Sequence, residues 1–289
     1  MYKFYKTLTE EDAIDHKQSN YDPANPYTYR RWYHEDIQDK DTLLITVGDS
    51  WTWGDHLGCI DWDKASDDPV RLTQIYGRKL ADHMGADWVN IARPGCSNYW
   101  MLEKLEAIQP FLYQYKSVHI VITLTEDLRE ARYNRSVDLG PIYKSFADNS
   151  ATLKDFLVQV ERYLFNSIET IVNRHPTVHW YVARAFTDVW EENKRLFLLD
   201  KTWCDVIQDK IQFDRYFKVV PFVGQMATGP LNDYYMKTEF KEEFLEIMQL
   251  VEYRWNFLGA SEYNLKGSTY HPNPAGHQLW AEYLFSKMQ

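Results

Sequence analysis

Leu43-Leu44-Ile45-Thr46-Val47 is a short, almost wholly apolar run that stops at Gly48-Asp49-Ser50. A run of strand length without alternation predicts a central parallel strand covered on both faces. Downstream, Leu72, Ile75, Tyr76, Leu80 and Met84 recur at helical spacing as far as Gly85, a good helix terminator. Trp88 to Ala92 predicts a second strand, Val118 to Leu124 a third and Val178 to Ala183 a fourth. Ser97 is placed to cap a helix through Trp100, Met101, Leu102, Leu105 and Ile108. Leu153, Phe156, Leu157, Val160, Leu164, Ile168 and Ile171 make the clearest amphipathic helix of the chain. A last helix, Pro274 to Met288, offers Leu279, Trp280, Tyr283 and Leu284 to the sheet. Strands alternating with helices predict an α/β fold: a parallel sheet of right-handed βαβ units with helices on both faces.

Two stretches lack this regularity. Residues 1–40 are polar and rich in charge and turn formers, as in Asn20-Tyr21-Asp22-Pro23-Ala24-Asn25-Pro26, and read as an extension draped over a domain spanning 41–289. Residues from about 186 to 262 read as the end of the sheet plus an irregular insertion or cap. They include a strand-like run from Phe217 to Phe222 and a helical pattern through Phe240, Phe244, Leu245, Met248 and Val251.

Composition narrows the function classes. With 289 residues, 45% of them hydrophobic and 26% charged, the chain has enough apolar surface for one large domain or two small ones. A net charge of −10 gives no overall attraction to phosphate backbones or anionic membranes, so neither nucleic acid nor a membrane is an expected partner. The first residues lack the apolar stretch of a secretory signal and the apolar runs are strand-sized, so a cytoplasmic location is expected. Cys59, Cys96 and Cys204 fit neither a disulfide framework nor a zinc site. Aromatic residues make up 16% of the chain, and stretches such as Trp51-Thr52-Trp53 look like sugar-stacking surface, although core packing is the favoured reading.

The candidate chemistry lies at the two ends of the domain. A serine just after an apolar strand and just before a helix occupies the place where open α/β sheets bind ligands, beyond the carboxyl ends of their strands. Ser50 is such a serine; its plain alternative is a helix cap. Such a nucleophile needs a base. His271 is offered by His271-Pro272-Asn273-Pro274-Ala275-Gly276-His277, where prolines fix the backbone before the last helix, and His277 reads as a structural residue bonding across that loop.

Together these segments resemble the SGNH (GDSL-type) hydrolases, three-layer α/β/α sandwiches of flavodoxin-like type, and the pattern also resembles members encoded by large tailed phages. Gly48-Asp49-Ser50 resembles the first block, whose serine is both nucleophile and backbone oxyanion donor. Pro94-Gly95-Cys96-Ser97-Asn98 resembles the second, which implies that Gly95 N–H is another donor. The His271 motif is similar to the last block, whose first histidine is the general base.

The chain departs from the family pattern twice. Where the third block has an oxyanion-hole asparagine, this chain has Leu124-Thr125-Glu126-Asp127. A carboxylate there repels a developing oxyanion, so Glu126 is expected to pair with Arg129 or Arg132 and face away, leaving the hole to Ser50, Gly95 and the amide of Asn98. Where the triad aspartate stands three residues before the histidine, this chain has Ser268, with Glu262 as a substitute carboxylate.

Asp55, His56, Asp61, Asp63, Asp67 and Asp68 read as a solvated acidic loop rather than a cation site, and Cys96 as a buried small residue. No metal or cofactor is expected. The implied function is a serine esterase removing a small acyl group, such as acetyl, from a carbohydrate or other polar ester. The alternative is a non-catalytic module of the same fold that binds a ligand or serves structurally.

Overall fold

The computed structural model describes residues 33–54, 57, 69–93, 96–125, 153–185, 195–208 and 272–289. Five strands, β1 (Tyr33–Asp36), β2 (Thr42–Gly48), β3 (Asp87–Ala92), β4 (Ser117–Leu124) and β5 (Val178–Arg184), form one sheet in the order β1-β3-β2-β4-β5. β2 to β5 are mutually parallel and β1 runs antiparallel to β3. From β2 the chain crosses first to β3 on one side and later to β4 on the other. The switch point, and hence the crevice of the sheet, therefore lies at the carboxyl end of β2.

Seven α-helices are seen among the described residues: α1 (Ser50–Trp53), α2 (Pro69–Gln74), α3 (Tyr76–Met84), α4 (Asn98–Ile108, extended by a 3-10 turn over Gln109–Gln114), α5 (Leu153–Arg174), α6 (Trp203–Gln208) and α7 (Pro274–Met288). Alternation along each strand sorts them into two layers. Leu44, Trp88, Val121 and Ala183 pack with Leu80 of α3, Ile207 of α6 and Trp280 and Leu284 of α7. Leu43, Ile45, Val47, Ile91, Ile120 and Ile122 pack on the other face with Met101 and Leu105 of α4 and Leu164 and Ile168 of α5. Each such side chain removed from water contributes about 1.5–3 kcal/mol, so burial on both faces supports the sandwich. The architecture is the expected three-layer α/β/α sandwich.

Local chemistry explains the element ends. Gly85 closes α3 in the left-handed conformation (φ 62°), its N–H reaching the Ala81 and Asp82 carbonyls. Ser97 caps α4 by accepting from Trp100 N, and Asn273 caps α7 by accepting from the N–H groups of Ala275 and Gly276. The periodicity from Leu72 to Met84 predicts one helix, whereas the structure breaks it at Ile75, which is extended (φ −74°, ψ 149°) and fully buried. The break is tertiary in origin. Tyr76 N–H, which a continuous helix would turn inward, is donated at 3.2 Å to Nδ1 of His277, a residue 201 positions away.

The extension expected over residues 1–40 is corrected at its end. Residues 33–36 pair with β3 as an edge strand, and Asp87 ties down the turn that follows by accepting from the N–H groups of Gln38 (2.8 Å) and Lys40 (3.2 Å). Four polar residues without alternation carry no strand signal of their own, so only the edge of β3 that β2 leaves unpaired reveals this one. Within the region expected to be irregular, residues 197–199 add a short parallel bridge to the outer side of β5, and Trp203 is fully buried. The run at 217–222 and the helical pattern at 240–251 lie outside the described residues. Among the described residues no helix is long and apolar enough to cross a membrane.

Candidate active site

Ser50 opens α1 directly beyond β2, at the switch point of the sheet. Its turn is closed on every side. Asp49 precedes it as N-cap and accepts from Trp51 N at 3.0 Å, Trp53 N donates to Asp49 O at 2.9 Å, and Gly54 (φ 80°) donates to Ser50 O at 3.0 Å. Arg71 of α2, itself buried, donates to Trp53 O and lies over the Trp53 ring at 4.2 Å. Ser50 is 9% exposed, whereas Trp51 and Trp53 are buried in opposite layers. Trp51-Thr52-Trp53 is therefore core rather than sugar-stacking surface, in line with the favoured reading. Gly48 is dictated by contact: a β-carbon there would sit 2.0 Å from Thr52 Oγ1 and 3.2 Å from Thr123 O.

Beneath this turn runs a buried polar chain. Trp88 Nε1 donates to Thr46 Oγ1 (3.1 Å), Thr46 Oγ1 to Asn90 Oδ1 (2.9 Å), and Asn90 Nδ2 to Thr52 O (3.4 Å). Thr52 Oγ1 meets Tyr76 OH at 3.3 Å, and Tyr76 OH meets Thr123 Oγ1 at 3.3 Å. Burial pushes the Tyr76 phenol up to about 12, the two threonine hydrogen bonds pulling the other way, so it stays a neutral O–H. These residues were not singled out from the sequence as site residues. Their signal was polar side chains interrupting apolar strands: Thr46, Asn90 and Thr123 all face one layer near the carboxyl ends, with Thr46 opposite Asn90 and Thr123 opposite Gly48.

Asn98, the first residue of α4, is buried and grips Thr125 just past β4. Its Oδ1 accepts from Thr125 N at 2.9 Å and its Nδ2 donates to Thr125 O at 3.1 Å. Thr125 O also accepts from Arg184 Nη1 at 3.0 Å, and Arg184 forms an ion pair with Glu161 in which both side chains are fully buried. The expected oxyanion-hole amide is thus held by the backbone that begins the third block. Cys96 is buried and its Sγ donates to Gly48 O at 3.4 Å, which matches its reading as a small packed residue.

The block that follows His271 docks on the same layer as Tyr76. Gly276 O accepts from Trp203 Nε1 at 3.1 Å, and His277, fully buried, accepts from Tyr76 N and stands edge-on to the Trp203 ring. His277 is structural as expected, although its bond reaches α3 rather than spanning its own loop. The structure therefore describes Ser50, Asn98 and Cys96. Gly95, Glu126, Glu262, Ser268, His271 and the acidic loop of Asp55, His56, Asp61, Asp63, Asp67 and Asp68 lie outside the described residues.

Compared with known proteins, the chain matches the family described as GDSL-like Lipase/Acylhydrolase over residues 44–284. Among solved structures it is similar to a carbohydrate esterase family 2 enzyme with a carbohydrate binding domain from Corynascus thermopiles (Myceliophthora fergusii), at 16% identity and a TM-score of 0.38, covering 88% of this chain and 68% of that one. It is also similar to an active-site mutant of a family two carbohydrate esterase from Clostridium thermocellum (13% identity, TM-score 0.37, 86% and 63% covered). A phospholipase A1 from Streptomyces albidoflavus is matched at 14% identity and a TM-score of 0.36, covering 86% of this chain and 100% of that one. No curated protein matches the chain.

Proposed function

The chain belongs to the GDSL-like lipase/acylhydrolase family, hydrolases of ester bonds, and from that premise we propose that it removes a small acyl group, such as acetyl, from a carbohydrate or other polar alcohol, with Ser50 as nucleophile and His271 as general base. The observation that carries this reading is the position of Ser50. It opens a rigidly closed turn at the switch point of the sheet, and the segment that follows His271 is anchored in the same layer through Tyr76 and Trp203.

In this mechanism Ser50 Oγ attacks the ester carbonyl carbon while its proton passes to His271. The tetrahedral oxyanion is received by the N–H groups of Ser50 and Gly95, with Asn98 as the side-chain member of the hole. Collapse breaks the bond to the alcohol oxygen, which leaves with the proton from the imidazolium. Water, deprotonated by His271, then attacks the acyl-enzyme and releases the carboxylic acid and free Ser50. Ser268 or Glu262 supports the far side of the imidazole. The acidic loop after the nucleophile favours neutral over strongly anionic substrates.

A fluorophosphonate probe followed by mass spectrometry tests the assignment. The expected result is one adduct on Ser50, absent from Ser50→Ala, whose hydrolysis of acetylated sugars and aryl esters is abolished. The same variant keeps its stability to within about 1 kcal/mol, because only one hydroxyl at a turn is removed. An unlabelled wild-type protein without activity on any of these esters favours the binding module.

A further inference from the structure

Tyr76 is the residue through which the separate pieces of the site touch. Its ring is fully buried and packs edge-on against Trp203 with centroids 5.1 Å apart. Its backbone N–H is held by His277, six residues after His271. Its hydroxyl meets Thr52, two residues after Ser50, and Thr123, the β4 residue paired with Gly48. The start of α3 is pressed onto the sheet here, since a β-carbon on Gly77 would lie 2.9 Å from the Trp88 ring and 3.0 Å from Thr46 Oγ1. Trp203 completes the contact by standing edge-on to Trp51, the residue after Ser50, while its indole N–H holds Gly276.

We propose that Tyr76 is a positioning residue for ester cleavage: its backbone N–H fixes the segment that follows His271 and its hydroxyl fixes the turn that carries Ser50, so that one residue sets the spacing of nucleophile and base. The inference rests on the reading of those two residues given above. Tyr76 is fully buried, so its influence reaches the reaction only through the groups it holds. A hydroxyl that hydrogen-bonds both threonines defines where both sit, and a phenyl ring of the same shape cannot. Because a displacement on the order of 1 Å in the reacting groups costs up to about 10²-fold in rate, loosening one anchor of the turn registers in turnover before it registers in the fold.

The test uses the full chain, an aryl acetate, and the fluorophosphonate rate at Ser50. Tyr76→Phe keeps the packing against Trp203 and removes only the hydroxyl, and Thr52→Val removes its partner. The expected result is a kcat about tenfold lower in each variant with KM unchanged, the rate of Ser50 labelling falling in parallel. The double variant is expected to be no slower than either single one, as befits two ends of one hydrogen bond. Ile171→Val, a core change in α5 on the far face of the sheet, lowers the melting temperature without lowering kcat and separates positioning from general loosening. A kcat within twofold of wild type in the single variants, or a double variant whose loss is the product of the two, overturns the proposal. If Tyr76→Phe does not fold, Thr52→Val and Thr123→Val decide by the same criterion. A wild-type protein that neither labels at Ser50 nor hydrolyses esters overturns the nucleophile reading itself, and the proposal with it.

Discussion

Gly48 and Thr52 interlock at the point where β2 becomes the turn that carries Ser50. The threonine hydroxyl occupies the space where a methyl group on residue 48 would stand, and Thr123 O closes the other side. Gly48→Ala is therefore expected to push α1 off the sheet. The expected cost is about 1–3 kcal/mol, the usual range for overpacking a closed site, read as a lower midpoint in chemical denaturation. The opposite kind of change is available at Ser268. A carboxylate three residues before His271, the position the family uses, fixes the imidazole tautomer and stabilises the imidazolium formed during attack. Ser268→Asp is expected to raise kcat about tenfold, or roughly 1.4 kcal/mol of barrier, well short of a full triad because the surroundings are not shaped to hold the group. Steady-state kinetics decide it: a loss of activity with folding intact means another carboxylate, such as Glu262, already holds the imidazole.

At the scale of elements, the division of the 69–84 stretch into α2 and α3 shows tertiary bonding overriding a helical period. Ile75 leaves the helix, and the imidazole of His277, not a side chain of the preceding turn, receives Tyr76 N–H at the start of α3. The β4–β5 pair holds a pH-sensitive contact of a different kind. His119 and His179 face each other across the ladder with rings stacked 4.6 Å apart, and Tyr181 OH meets His119 Nδ1 at 3.4 Å. Burial, with His179 adding repulsion, lowers His119 from 6.5 to about 4. Between those two values the unfolded chain binds the proton that the folded chain refuses. Stability from this group is therefore complete above about pH 6.5 and falls as the pH drops toward 4. Thermal melts across that window are expected to show a smaller acid-side decline in His119→Phe than in wild type; equal declines assign the effect to other groups.

For the whole molecule, the fully buried Glu161–Arg184 pair joins α5 to the end of β5, and Arg184 carries the connection on to Thr125 and so to Asn98. The two layers meet the site through this link on one face and through Tyr76 on the other. Breaking a buried pair leaves an uncompensated charge. Glu161→Gln is thus expected to cost about 3–5 kcal/mol, whereas Glu161→Met combined with Arg184→Met costs less, because both charges leave together. Denaturant midpoints of the three proteins check the order, and a single variant as stable as the double one refutes it.

Apolar runs and helical spacing were enough to locate β2 to β5 and α4, α5 and α7, because each of those elements buries one face against the core and the pattern records that burial locally. The placement of Ser50 after β2, and the glycine and serine at helix ends, were legible for the same reason: caps and turns are chemistry between residues a few positions apart. The antiparallel edge strand, the break at Ile75, and the joining of the turn that carries Ser50 to the last block through Tyr76 were decided by the tertiary structure alone. Each depends on a hydrogen bond or packing contact between segments distant in sequence, the longest bridging 201 positions, and such contacts leave no period in the chain that makes them.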